Sequence, residues 1–212
     1  KFRMSDLTNT TSIARSNSGD RLLCYPFPIT TDIPTADFYW VLDQSGSMAS
    51  YNTVISNFSN EFINEVANTG LDYRLGVTNM SPNYEGRLRS TVGWHTSPQV
   101  FASEIDYYVI DCYPNQSDCS TFEEYGLYIS ELGIKYMRSA QAPPAERIRP
   151  EAQLVTIYMT DEQANSIEDG HRPNNVGAMT AAALQQEYNT FFAAQTVAYA
   201  IYSDTDDCGL TI

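Results

Sequence analysis

The chain has 212 residues, a formal net charge of −14 at pH 7, 42% hydrophobic residues and 18% charged residues. These values predict one folded domain with a substantial core and argue against wholesale disorder. The acidic balance argues against nucleic acid as a partner and against docking onto anionic lipid by charge alone, because twelve Lys and Arg residues supply no basic stripe. The charge favours a cation site, although a solvated acidic surface explains most of it.

Residues 1–36 are predicted to form an extended arm that lies on the domain, with residues 37–212 as the domain itself. The arm is rich in Ser, Thr, Asn and Asp, and Pro26, Pro28 and Pro34 favour extended backbone. The sequence shows neither a signal peptide nor a run long enough to span a membrane. A chain that begins at Lys1 without an initiator Met is expected to be processed or excised from a longer protein.

The first half of the domain predicts strands that alternate with helices. An apolar run over 38–42 indicates a strand. A helix from Met48 to about Thr69, which Gly70 ends, is indicated by apolar residues at three- and four-residue spacing, namely Ile55, Phe58, Phe62 and Val66. A second strand then contains Tyr73, Leu75 and Val77. The alternation at Leu88, Ser90, Val92 and Trp94 predicts a hairpin with an antiparallel strand at the sheet edge, and residues 98–110 are predicted to be helical.

The second half continues the alternation. A helix after Thr121 is predicted to bury a stripe made of Phe122, Tyr125, Ile129, Leu132 and Tyr136. The apolar run Leu154–Met159 is typical of a central parallel strand, and a helix over 178–195 leads to a last strand, Val197–Tyr202. The fold class is therefore predicted to be α/β, with a doubly wound, mostly parallel sheet and an antiparallel edge strand.

Polar oxygens cluster where the first strand passes into the first helix. Asp43, Ser45 and Ser47 stand at i, i+2 and i+4, so a sharp loop can direct all three side chains at one point. This junction is where open α/β sheets bind ligands, and carboxylate and hydroxyl oxygens suit Mg²⁺, Mn²⁺ or Ca²⁺. The alternative is a Ser- and Asp-rich turn whose side chains cap the following helix.

The pattern Asp-x-Ser-x-Ser between a strand and a helix resembles the first part of the metal-ion-dependent adhesion site (MIDAS) of the von Willebrand factor A family, also called the integrin I-domain fold. The resemblance implies a threonine from a second loop and an aspartate from a third. Thr121, five residues before Gly126-Leu127, and Asp161, after the strand Leu154–Met159, match these positions. Each is alternatively a helix cap or a loop carboxylate.

A finer resemblance covers most of the domain and points to a bacterial extracytoplasmic branch whose members are often surface lipoproteins. It rests on Tyr73–Val77, Gly86–Leu88, Phe122-Glu123, and Arg149–Leu154 leading into Thr160-Asp161-Glu162. One departure is Gln163–Ser166, which stands where relatives often carry an acidic, cysteine-containing loop. The resemblance implies a non-enzymatic, extracellular or cell-surface module that binds a protein or glycan through a divalent cation, with the partner's carboxylate completing the coordination.

Other functions remain open from the sequence. The site could hold an ion that only stabilises a structural or assembly subunit. A Ser-dependent hydrolase using Ser45 or Ser47 lacks the Gly-x-Ser-x-Gly elbow, and only His95 and His171 could act as its base. A phosphoryl-transfer enzyme of the aspartate type would need a second carboxylate two residues after Asp43, where Ser45 stands.

Four cysteines permit three pairings. We predict a Cys112–Cys119 disulfide ahead of Thr121 and hence a Cys24–Cys208 disulfide, in an oxidising compartment. A fold of this family normally continues after Val197–Tyr202 with another strand and a C-terminal helix, for which residues 203–212 are too few. The arm is therefore expected to cover the last strand.

Overall fold

The computed structural model describes residues 34–90, 92–107, 125–161 and 180–201. These residues form strands β1 (Thr35–Leu42), β2 (Asp72–Asn79), β3 (Gln153–Met159) and β4 (Val197–Ile201), with helices α1 (Asn52–Ala67), α2 (Pro98–Asp106), α3 (Gly126–Arg138) and α4 (Ala181–Gln195). A short 3-10 helix, Ser47–Tyr51, precedes α1. Strand β1 includes Thr35 and Ala36, which the sequence analysis placed in the arm. In the described part of the chain, no helix is long and apolar enough to cross a membrane.

The four strands form a parallel sheet in the order β2-β1-β3-β4. Trp40 in the middle of β1 lies opposite Val77 of β2 and Ile157 of β3, so β1 is a central strand. The chain leaves β1 toward β2 on one side and later returns to β3 on the other. The strand order therefore reverses between β1 and β3, and their carboxyl ends define the position where doubly wound sheets bind ligands. The predicted α/β fold class is confirmed.

Helices cover both faces of the sheet, because alternate residues of each strand point to opposite faces. On one face, Phe38, Trp40 and Leu42 of β1 belong to a core with residues of α1 and α2. On the other face, Tyr39 and Val41 belong to a second core with residues of α3 and α4. Both cores meet at β1, which is buried almost throughout. This burial gives the loop after β1 a rigid base.

The amino end of β1 carries a buried ion-pair network. Asp37 is fully buried and accepts two hydrogen bonds from the Arg74 side chain, at 2.9 and 2.6 Å. Arg149 donates to the same carboxylate from its backbone N at 2.9 Å and its Nε at 3.0 Å, and its Nη1 lies 2.8 Å from Asp72 Oδ2. Asp37 is thus neutralised by two arginines, which explains a charged residue at the start of a buried strand.

The predicted antiparallel edge strand over 88–94 is wrong for the described residues. Arg89 N donates to Val77 O, and His95 forms a single antiparallel bridge with Leu75, so this segment meets β2 at two points. Between them the chain turns: Gly93 N donates to Ser90 O, and Gly93 has φ +79°. A residue in the left-handed region cannot continue a strand, so the alternation that the sequence shows does not produce one.

The predicted stripe on the helix after Thr121 is also partly wrong. Helix α3 begins at Gly126, with Tyr125 preceding it, and Leu132 and Tyr136 are only half-buried. Its buried residues include Leu127, Ile129, Ile134 and Met137 together with four small or polar residues: Gly126, Ser130, Glu131 and Gly133. Phe122 lies outside the described residues, as do the four cysteines and residues 1–33.

Candidate metal centre

The loop that follows β1 is fixed at its start by the neighbouring strand. Asp43 N donates to Met159 O at 2.9 Å, which extends the β1–β3 ladder by one bond beyond Leu42. The loop then enters the 3-10 helix at Ser47, and Met48 is buried in the core beneath it. Asp43 and Asp161 follow adjacent parallel strands, so both lie at the same edge of the sheet.

Four of the predicted ligands are joined by hydrogen bonds at this edge. Ser45 N donates to Asp43 Oδ1 at 2.7 Å, and the hydroxyls of Ser45 and Ser47 lie 2.8 Å apart. Ser47 Oγ donates to Asp161 Oδ1 at 3.1 Å, which links residues 114 positions apart in the chain. The structure therefore brings Asp43, Ser45, Ser47 and Asp161 together. Thr121, the fifth predicted ligand, lies outside the described residues.

The site is acidic and partly withdrawn from water. Asp43 is 4% exposed and Ser45 is 6% exposed, whereas Ser47 is exposed and Asp161 is half-buried. Burial raises the pKa of Asp43, hydrogen bonds from Ser45 and Thr160 lower it in part, and the negative charge of Asp161 raises it further. A cation between the two carboxylates would offset this repulsion.

The donor set fits a hard divalent cation, because all of its side-chain donors are oxygen atoms. Two carboxylates and two hydroxyls converge from two loops, with the exposed Ser47 on the solvent side. Among the described residues, no group of three or more His, Cys, Asp and Glu side chains is placed to hold a metal. A site of this composition therefore depends on hydroxyl ligands, and Thr121 is the predicted third.

The sequence analysis did not single out three residues whose side chains form hydrogen bonds at this loop. Thr160 Oγ1 donates to Asp43 Oδ2 at 2.7 Å from the residue just before Asp161. On the other side of the loop, Asn79 Nδ2 donates to Gln44 Oε1 at 2.8 Å, and both side chains are buried. Their positions in the sequence could have indicated this role. Thr160 and Asn79 stand at the carboxyl ends of the strands on either side of β1, so their side chains can reach the loop that follows β1.

One of the two candidate bases of a Ser-dependent hydrolase lies among the described residues. His95, one of two candidate bases, has its Nε2 2.5 Å from Glu104 Oε2 and contacts the ring of Phe101. Its hydrogen bonds are with Glu104 and with the backbone of Leu75, and none is with Ser45 or Ser47. His171 lies outside the described residues. The contact between His95 and Glu104 connects the segment after β2 to helix α2.

Comparisons with known proteins give distant structural likenesses. No family model and no curated protein matches the sequence. Proximal thread matrix protein 1 from the mussel byssus is similar over 80% of this chain and 38% of its own, with 19% identity and a TM-score of 0.48. The pilus adhesin SpaC from Lactobacillus rhamnosus GG covers 63% of this chain and 15% of its own, at 16% identity and a TM-score of 0.40.

The adhesive tip pilin GBS104 from Group B Streptococcus agalactiae covers 61% of this chain and 46% of its own, at 9% identity and a TM-score of 0.38. The chain thus spans less than half of each of these three structures. Likenesses this distant assign neither a family nor a function, so the interpretation of the site depends on its own geometry.

Proposed function

We propose that this chain is a von Willebrand A-type module that binds a protein or glycan partner through a divalent cation, in a secreted or cell-surface protein. One observation supports this most directly. Ser45, Ser47 and Asp161 form a continuous set of hydrogen bonds next to Asp43, at the point where the strand order reverses. An Asp-x-Ser-x-Ser loop that merely capped the next helix would not need an aspartate from a distant loop.

The residues proposed to hold the cation are Asp43, Ser45, Ser47, Asp161 and, from the sequence pattern, Thr121. Mg²⁺ is the favoured ion, with Mn²⁺ or Ca²⁺ as substitutes, and when bound it would supply a positive charge and an exchangeable position for a carboxylate. The two carboxylates would formally balance the charge of the ion. If part of the carboxylate contact were made through water, as in the family that the sequence resembles, the ion would keep enough positive charge to attract a partner's carboxylate. The buried Asp43 would anchor the ion, while Ser47 at the exposed side leaves room for a partner.

Mn²⁺ binding by the full chain tests the site. We expect calorimetry to show one Mn²⁺ site in the wild type and none in Asp43→Asn, because the substitution removes the buried charge but keeps an oxygen for Ser45 N. The matched control is Glu61→Gln on the exposed face of α1, which removes one charge elsewhere and should leave the affinity unchanged. Equal Mn²⁺ affinity of wild type and Asp43→Asn would refute the metal site.

Partner chemistry needs a second experiment. Immobilised peptides that contain Glu or Asp, each paired with its Gln or Asn counterpart, are probed with the Mn²⁺-loaded chain. We expect binding to require both the carboxylate and Mn²⁺, and Thr121→Ala to weaken peptide binding more than Mn²⁺ binding. Binding that survives EDTA, or that does not distinguish the paired peptides, would contradict a carboxylate-completed site.

A structural ion is the second candidate, favoured by the burial of Asp43 and Ser45. The two functions predict different effects of chelation on the fold. If the ion serves binding, EDTA should abolish peptide capture and lower the melting temperature only slightly. If the ion is structural, EDTA should unfold the domain at the temperature at which the metal-loaded form is stable.

A further inference from the structure

The buried carboxylate of Asp43 is held at both oxygens by donors from different parts of the chain. Oδ1 accepts the backbone N–H of Ser45, two residues away in the same loop. Oδ2 accepts the hydroxyl of Thr160, which is 117 residues away at the end of β3. Thr160 is 7% exposed and Asp43 4%, so this second bond is shielded from water.

The two bonds have different consequences for the geometry of the carboxylate. The bond at Oδ1 restrains rotation of the carboxylate about its Cβ–Cγ bond only as firmly as the loop that supplies the donor is itself held. The bond at Oδ2 adds a restraint on the same rotation from outside the loop, because its donor follows another strand. That strand is itself in register with β1 through the Asp43 N–Met159 O bond at 2.9 Å. The orientation of Asp43 is therefore set by the sheet and not only by its own loop.

From this geometry we infer that Thr160 is a positioning residue of the cation site, which orients Asp43 toward the ion without contacting the ion itself. The inference rests on the proposed metal site. Residues that orient a metal ligand commonly change affinity by about 10- to 100-fold when they are removed. Thr160 directly precedes Asp161 in the chain. The end of β3 therefore provides both a predicted ligand, Asp161, and the donor that orients the carboxylate of Asp43.

The alternative role for Thr160 is structural: its hydroxyl would satisfy a buried carboxylate and do nothing for the ion. Loss of the hydroxyl would then lower stability and leave the Mn²⁺ affinity of the folded protein unchanged. Thr156 offers a matched control, because it is a fully buried threonine on the same strand whose Oγ1 lies 2.9 Å from Thr196 Oγ1. Thr156→Val removes a comparable buried hydroxyl remote from the site residues.

The experiment measures Mn²⁺ affinity by calorimetry and stability by chemical denaturation for the full chain. We expect Thr160→Val to bind Mn²⁺ about ten-fold more weakly, Thr160→Ser to bind within about two-fold of the wild type, and Thr156→Val to lose stability with unchanged affinity. Thr160→Ala removes the donor without adding a methyl group in place of the hydroxyl, so it provides the test if the valine variant does not fold.

The outcomes separate this inference from the proposed function. A wild type that binds no Mn²⁺ overturns the metal site and the role of Thr160 together. A wild type that binds, with Thr160→Val and Thr160→Ala binding as tightly or more tightly, overturns the role of Thr160 alone. The role of Thr160 would also be overturned if Thr156→Val lost as much Mn²⁺ affinity as Thr160→Val. The loss of affinity would then follow from a weakened strand and not from the missing bond to Asp43.

Discussion

At the scale of single residues, β1 carries a buried carboxylate at each end, and the two have different surroundings. Asp37 at the amino end is paired with Arg74 and Arg149. Asp43 at the carboxyl end meets hydroxyls, a backbone N–H and a second carboxylate, Asp161. A buried charge is tolerated only when it is compensated. The first is compensated by the protein, and we propose that the second is compensated by an ion.

Replacing Asp37 is predicted to destabilise the fold strongly. Asp37→Ala leaves two arginine side chains, each less than one-fifth exposed, without their shared carboxylate. We expect a loss of about 3 kcal/mol in the free energy of unfolding, at the low end for a broken buried pair because the arginines can partly reach water. Urea denaturation measures it.

The control for Asp37 is in the same network. Asp72→Asn removes the exposed carboxylate that lies 2.8 Å from Arg149 Nη1, and should cost less than about 1 kcal/mol. If the two variants lost equal stability, burial would not be the reason for the importance of Asp37.

The proximity of the candidate ligands could be predicted in part from the sequence. Asp43, Ser45 and Ser47 form a local motif, and Asp161 follows a strand that is recognisable from its apolar run, so both were found. Thr160 and the Gln44–Asn79 pair were not singled out, because their role depends on which strands are neighbours. That order is a property of the sheet and becomes visible only when β2 and β3 are placed on either side of β1.

At the scale of elements, the central strands were predictable and the packing of α3 was not. Long apolar runs make β1 and β3 recognisable, since a strand buried on both faces contains few polar residues. Helix α3 instead buries glycines: Gly126 lies against Met80, and Gly133 lies against Gly86. Hydrophobic periodicity does not detect a helix face that packs through glycines, because these have no side chain to count as apolar. The predicted buried stripe therefore differs from the face that α3 buries.

Gly133→Ala is predicted to destabilise the protein although alanine favours helix. A Cβ at Gly133 would lie 2.3 Å from Gly86 O and 2.5 Å from the Tyr39 hydroxyl oxygen, which itself bonds to Gly86 O at 2.6 Å. We expect a net loss of about 2 kcal/mol, because overpacking outweighs the gain of about 1 kcal/mol in helix propensity. Thermal and urea unfolding provide the measurement.

Gly70 provides the comparison for Gly133. It lies in the turn that follows α1, at φ +74°, and has no atom within 4 Å of the position that a Cβ would take. Gly70→Ala should therefore cost only the backbone strain of about 1 kcal/mol. A Gly133→Ala variant that was more stable than the wild type would show that the contact between α3 and the Gly86 turn is loose.

At the scale of the whole molecule, the role of the arm stays a prediction. Among the described strands, β4 pairs only with β3. We expect non-reducing peptide mapping to find Cys112–Cys119 and Cys24–Cys208, and the longer loop to contribute about 5 kcal/mol on the chain-entropy model. Residues 34–212, which keep the start of β1 but lack the rest of the arm, should then be less stable or self-associate. A linkage of Cys112 to Cys208, or a shortened chain that is monomeric and equally stable, would contradict this.

The parallel arrangement of β1, β3 and β4 also has a mechanical consequence. Residue 34 precedes β1 at one end of the sheet, and residue 201 ends β4 at the opposite end. A force applied between them pulls along the strands. It loads the hydrogen bonds of the β1–β3 and β3–β4 ladders in shear, so that many of these bonds must break together. Between residues 34 and 71, which precede the paired strands β1 and β2 at the same end, a force would open that ladder one bond at a time. Single-molecule pulling should therefore require a higher rupture force for the first pair of attachment points than for the second, and equal forces would mean that the sheet does not carry the load.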